Sequence, residues 1–179
     1  MSVRNQLRLL RCVRLLVAFT AAGLLGQQAM PRIEGENFAG QKVVIPDASR
    51  GHVAVLVFGF TKKSKDPTSE WAAKVTSDFG GQTGFELYQL PVLEDVPRFI
   101  RGMVISGIKK GVKENLRDHF VPIVQGEAEL KKLVSYKEPD DAYLVVINPA
   151  GQILQQTHGP FSDILYQPLR SQLQAMLPH

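Results

Sequence analysis

The chain has 179 residues, 44% of them hydrophobic and 21% charged, an ordinary globular composition with enough length for one domain and a proper core. A formal charge of +4 and an isoelectric point near 9.3 invite a nucleic-acid reading. The excess is local, because residues 1–33 hold no acid and Arg4, Arg8, Arg11 and Arg14 all lie ahead of residue 15; without residues 1–29 the chain carries 17 basic and 17 acidic residues, and the electrostatic case for nucleic acid disappears.

The four arginines lead into the apolar run Leu15 to Leu25, and small and polar residues follow from Gly26 to Ala29. That layout predicts a cleaved export leader over residues 1–29, placing the mature protein in the periplasm or outside the cell. Cleavage after Gly26 and after Ala29 both remain open. Eleven apolar residues fall short of the roughly 20 needed to span a bilayer, so a permanent anchor is the weaker reading. A mitochondrial presequence is the alternative, being likewise Arg-rich and free of acid, although it is normally Ser-rich and amphipathic. The sole cysteine, Cys12, lies inside the leader. The chain after cleavage therefore has no thiol and must be stabilised by packing alone.

Beyond the leader, strand-like and helix-like segments alternate. Phe38 to Pro46 reads as a turn and a short strand, and His52 to Phe60 as a nearly continuous apolar strand buried on both faces. A polar stretch from Thr61 to Glu70 leads to Trp71, Val75 and Phe79 at helical spacing, and Gly80, Gly81 and Gly84 close that helix. Phe85 to Leu93 is a second strand. Asp95 is placed to cap the next helix, with Pro97 in its first turn, after which Phe99, Ile100, Met103, Val104 and Gly107 form an apolar face running to about Arg117. A small helix over Glu127 to Tyr136 precedes two strands around the turn Asn148, Pro149, Ala150, Gly151. The last helix, Phe161 to Leu177, sets Ile164, Leu165, Leu169, Leu173, Met176 and Leu177 on one side.

This order defines an α/β layered domain. It resembles the thioredoxin fold in its peroxiredoxin-like form over roughly residues 30–178, and the segment from Ala142 to Ile153 (AYLVVINPAGQI) is similar to the penultimate hairpin of that superfamily. The stretch from Leu90 to Tyr136 is similar to the thioredoxin-fold assembly factors for mitochondrial ATP synthase, or a bacterial relative, which carry a long helical insertion here. The resemblance implies a central mixed sheet flanked by helices, with a helical insertion at about 94–118, in a domain of residues 30–179.

In that superfamily the loop after the first long strand carries the reactive thiols, at a helix N-terminus that favours thiolate. Here it reads Lys63, Ser64, Lys65, Asp66, Pro67, Thr68, so Asp66 falls where the resemblance puts the thiol and Lys63 where it puts the first cysteine. The cis-proline that shapes the family's substrate groove would fall on Ala142, and it too is missing. Disulfide exchange and thiol-based peroxide reduction are therefore excluded as expectations. Asp66 reads as a cap for the helix of Trp71, and Lys62, Lys63 and Lys65 as a solvated loop face, with anion binding at the helix N-terminus the minority alternative.

Other chemistry is thin. His52, His119, His158 and His179 lack metal-ligand spacing and read as surface or strand-end residues. Glu138, Asp140 and Asp141 flank Pro139 as a solvated turn, a cation site being the lesser reading. No phosphate-binding glycine loop or nucleophile elbow occurs, and Ser64 and Ser106 have no recognisable base nearby in sequence. No cofactor or metal is expected. The remaining candidate is the central helix, where Arg98, Arg101, Lys109 and Lys113 form a stripe opposite the apolar face, with Ile105 and Val112 among them. Such a stripe is ordinarily a solvent side. Gly102, Gly107 and Gly111, each weakening a helix by about 1 kcal/mol against alanine, argue that this one leans on something else: tight packing on the domain, a protein or an anionic lipid surface.

Two functions follow as expectations. One is a non-catalytic thioredoxin-like protein that binds another protein, as an assembly or folding factor for a membrane complex. The other is an exported redox-associated or small-molecule-binding protein using non-thiol chemistry.

Overall fold

The computed structural model describes residues 28–177. The expected leader lies outside the described residues except for Gln28 and Ala29, and His179 lies outside them as well.

Two short strands, β1 (Ile33–Glu36) and β2 (Lys42–Ile45), form an antiparallel hairpin apart from the main sheet. The main sheet has the order β4-β3-β5-β6, built from β3 (Val53–Gly59), β4 (Phe85–Pro91), β5 (Ala142–Ile147) and β6 (Ile153–Gly159). β3 runs parallel to β4 and antiparallel to β5, and β5 pairs antiparallel with β6, so the sheet is mixed. The parallel pair needs a crossover, and α1 (Lys65–Phe79) supplies it.

Side chains alternate across a strand, so each buried strand feeds two cores. Ala54, Leu56 and Phe58 of β3 and Tyr143, Val145 and Ile147 of β5 face one side, packed with Ile33, Ile45, Ile123, Leu130 and Leu133. Val53, Val55 and Val57 with Ala142, Leu144 and Val146 face the other, covered by Trp71, Val75 and Phe79 of α1 and by Tyr166, Leu169 and Leu173 of α4 (Asp163–Met176). This double burial explains why β3 and β5 read as continuous apolar runs. Trp71 is fully buried, its indole Nε1–H donating to the Gly159 carbonyl at 3.0 Å.

After β4 the chain leaves the sheet and comes back beside it. Val92 N–H donates to Gly59 O, Leu93 N–H to Ile123 O, Val121 N–H to Gln89 O and Ile123 N–H to Pro91 O. Between these pinned ends lie α2 (Arg98–Gly111) and a 3-10 turn, Glu114–His119. This excursion is the expected insertion. α3 (Glu127–Leu133) follows.

Three expectations are corrected. Asp95 does not cap α2: Pro97 stands at the cap position, while the Asp95 N–H donates to Glu127 Oε2 at 3.3 Å and its carboxylate pairs with Lys131. α2 stops at Gly111 because Val112 turns extended, well short of Arg117. In α4, Ile164 is 86% exposed and Met176 is also exposed; Tyr166 takes the inward place, its hydroxyl donating to Asp78 Oδ2 of α1 at 2.7 Å.

Candidate functional site

The loop at the C-terminal end of β3 is where the resemblance places a thiol. Its buried side chain is Ser64, 1% exposed, at the N-cap position of α1. The Ser64 Oγ–H donates to Thr61 O at 2.7 Å and the same oxygen accepts from Thr61 N at 3.2 Å. Thr61 answers in kind: its Oγ1 accepts the N–H groups of Lys63 and Ser64 and donates to Asp140 Oδ1 at 2.8 Å. The loop is thus a closed ring of hydroxyl and backbone bonds tied to the turn before β5. Gly59 is required beneath it, since a Cβ there would stand 2.7 Å from Ser64 Oγ.

Asp66, expected as the cap, does not cap the helix. It lies inside the first turn, exposed, two residues past the N-cap position, where its charge suits the helix dipole but its side chain makes no capping bond. Lys62, Lys63 and Lys65 are exposed, as expected of a solvated face, and Lys63 forms an exposed ion pair with Asp140 at 3.4 Å. Pro67 is half-buried and has no N–H to offer. Lys65 N–H is turned back to Lys62 O, and Thr68 N–H to Ser64 O. With these donors occupied and the Asp66 carboxylate standing at the same end, the helix N-terminus is a poor seat for an anion.

Of the three acids before β5, Glu138 is exposed, as expected of a solvated turn, while Asp140 and Asp141 are each engaged by a separate partner. Asp140 holds Thr61, and Asp141 meets His158 Nδ1 at 2.8 Å. The His158 ring stacks on Tyr143, whose hydroxyl accepts from the N–H groups of Lys137 and Glu138 and donates to Glu138 O. Ala142, at the place of the missing proline, pairs with Gly59 and Gly159. His52 stands 3.7 Å from Glu86, and His119 lies against Asp118 and the Tyr88 ring. Among the described residues no three His, Cys, Asp or Glu side chains are grouped to hold a metal.

The docking stripe expected on α2 is not one surface. Arg101 is tied down: its Nε–H donates to Val96 O at 3.1 Å and its terminal nitrogen to Glu94 O at 2.6 Å and Val96 O at 2.9 Å, binding the turn that enters the helix. Ile105 is half-buried, on the inward side with Ile100, Val104 and Ile108. Arg98 and Lys109 are exposed, while Lys113 falls beyond the helix, at the head of the 3-10 turn. Arg98 and Arg101 line an open cleft of about 510 Å³ with Glu94, Val124 and Gln125.

The expected apolar face of α2 holds only in part: Ile100 and Val104 turn inward, whereas Phe99, Met103 and Gly107 are exposed. No residue of α2 is fully buried; Phe99 is 88% and Met103 73% exposed, on the outside with Lys110 between them on the helical wheel. Sequence reasoning merged two apolar stripes about 120° apart. The signal that separates them is the four-residue spacing of the β-branched set Ile100, Val104 and Ile108.

No protein-family model matches the chain, and no curated protein matches it. Solved structures do. A putative thiol:disulfide interchange protein DsbE from Chlorobium tepidum matches with 17% identity and a TM-score of 0.58, covering 85% of this chain and 97% of that one. BsSco, a member of the Sco family of cytochrome c oxidase assembly proteins, matches with 12% identity and a TM-score of 0.58 over 84% of this chain and 94% of its own. An exposed lipoprotein thioredoxin of Streptococcus pneumoniae strain TIGR4 matches with 11% identity and a TM-score of 0.54 over 80% and 100%. The β4-β3-β5-β6 mixed sheet, α1 and α4 on one face, and these likenesses together define the chain as an α/β protein with a thioredoxin-like fold, holding a buried, hydrogen-bonded serine at the N-terminus of α1.

Proposed function

We propose that the chain is a non-catalytic thioredoxin-like protein that acts by binding another protein, as an assembly or folding factor for a membrane complex. The observation that carries this is the Thr61–Ser64 ring. A redox site on this fold needs an accessible nucleophile at the helix N-terminus, whereas Ser64 is buried and both its roles, donor and acceptor, are taken by Thr61. The similarity of residues 90–136 to the ATP synthase assembly factors supports the client class, and BsSco is an instance of the same fold described as an assembly protein. The insertion is the segment that carries the resemblance to the ATP synthase factors, and no residue of its helix α2 is fully buried.

Export fits this role. Met30 N–H donates to Gly151 O and Ile153 N–H to Gln28 O, so residues 28–30 belong to the folded domain, and cleavage after Gly26 leaves them in place.

The test uses protein isolated from its native host. It is expected to begin at Gln27 by intact mass, to show no disulfide reductase activity on insulin and no peroxidase activity with any thiol donor, and to crosslink to a subunit of a membrane complex. A rate above buffer that survives repurification, or a bound small molecule with no protein partner, overturns the reading in favour of non-thiol chemistry.

A further inference from the structure

Between Asp95 and Glu114 the chain holds no acid and five cations, Arg98, Arg101, Lys109, Lys110 and Lys113. Arg101 is used by the fold, but none of the other four makes an ion pair among the described residues. In their midst Phe99 and Met103, one turn apart, present the most exposed aromatic side chain and the most exposed methionine of the described core-sized hydrophobics. Gly102 and Gly107 share this outer side, and a Cβ at either would meet nothing within 4 Å, so no packing requires them. The result is a helix that costs about 1 kcal/mol per glycine and returns no full burial.

We propose that the outer face of α2 seats the domain on an anionic lipid bilayer, with Phe99 and Met103 entering the interface and Arg98, Lys109 and Lys110 among the headgroups. An amphipathic helix lying in the interface plane needs apolar tips on one side and flanking cations whose long stems let the charge reach the phosphates. Charge complementarity favours the anionic surface over a neutral one.

Two other occupants fit less well. A helix held in a protein groove is read through anchors at i, i+3, i+4 and i+7. Counting from Phe99, those places are Gly102, Met103 and Ser106, so the series stops after one turn. A second copy would bring the same cations face to face, and two apolar side chains from each partner fall far short of the roughly 1,200 Å² that a stable interface buries. The proposal is independent of the assembly-factor reading: a domain seated on a membrane could serve any client.

Phe99→Trp tests it in the full-length chain. The native Trp71 is fully buried, so an indole introduced on α2 reports on that helix alone, even where the leader itself binds lipid. With vesicles of mixed phosphatidylcholine and phosphatidylglycerol carrying brominated acyl chains, the added emission is expected to shift to the blue and be quenched, while wild-type Trp71 emission stays unchanged. Lys109→Gln and Lys110→Gln should each weaken this partition about fivefold, and about 25-fold together. Lys62→Gln with Lys65→Gln should leave it unchanged. Absence of quenching in the Phe99→Trp variant, equal quenching in pure phosphatidylcholine, or loss of quenching only in the Lys62 and Lys65 pair would overturn the proposal. So would dimerisation in lipid-free buffer that Phe99→Ser abolishes, which would identify a second copy as the occupant.

Discussion

Replacing Ser64 by alanine separates the Thr61–Ser64 ring from the simpler picture in which Asp66 caps α1. The change removes a bond of 2.7 Å to Thr61 O and one of 3.2 Å from Thr61 N, both shielded by a side chain only 1% exposed. Each such bond contributes about 1 kcal/mol net, and a buried group left without its partner costs about 1–3 kcal/mol, so the expected loss is about 2 kcal/mol. In a domain of this size that lowers the melting temperature by about 4–8 °C. Asp66→Asn removes only an exposed charge in the first turn, worth about 0.5 kcal/mol at low salt. Urea unfolding followed by the fluorescence of Trp71, the only tryptophan, reads both variants on one buried reporter. Equal losses in the two variants, or a Ser64→Ala protein as stable as the wild type, would refute the reasoning.

Asp78→Asn probes the tie between α1 and α4. The Asp78 carboxylate is held below its usual range by Lys74 Nζ at 2.9 Å and by the Tyr166 hydroxyl, with Arg170 beyond at 3.6 Å. Because its folded value is depressed, its contribution is complete above the unfolded value of about 3.9 and is lost as pH falls through the folded one. The variant should therefore be less stable by about 1–2 kcal/mol at neutral pH, with the gap closing in urea titrations as pH falls below the unfolded value; a gap of constant size would count against the assignment. Arg101→Gln should release the turn at Glu94 and Val96 and speed hydrogen exchange of the α2 amides roughly tenfold, while Lys109→Gln leaves them unchanged. Equal exchange in both variants would return Arg101 to the exposed stripe.

Local periodicity carried the frame. The run from Val53 to Phe58, the spacing of Trp71, Val75 and Phe79, and the turn at Asn148 to Gly151 each encode an element through short-range chemistry, and each element formed where its pattern lay. Errors arose where a distant partner decided between neighbouring candidates. Asp66 reads as the cap of α1, but the cap position falls on Ser64, two residues earlier, where the hydroxyl of Thr61, itself bonded to Asp140 of the turn before β5, accepts the Ser64 N–H. Ile164 is more apolar than Tyr166, yet Tyr166 turns inward because Asp78 of another helix receives its hydroxyl. Arg101 belonged to a stripe by helical spacing, but the carbonyls that bind it are displayed by a turn whose shape the wheel does not represent.

The frame also suggests why function would move away from the end of β3. A thiol site on this fold needs its loop open at the helix N-terminus, and closing that loop with Thr61, Ser64 and Asp140 stabilises the same elements without a nucleophile. The insertion is under different constraints. Its two ends are pinned at Val92, Leu93, Val121 and Ile123 by backbone bonds and by burial of those side chains, so the outer residues of α2 between them can change without disturbing either core. Side chains such as Phe99, Met103 and Lys110 are thereby released from packing duty, and their exposure costs the fold only the contacts they never made. On the proposed reading, this chain retains the thioredoxin-like sheet as a scaffold and places its working surface on α2, the one α-helix among the described residues that the scaffold does not bury.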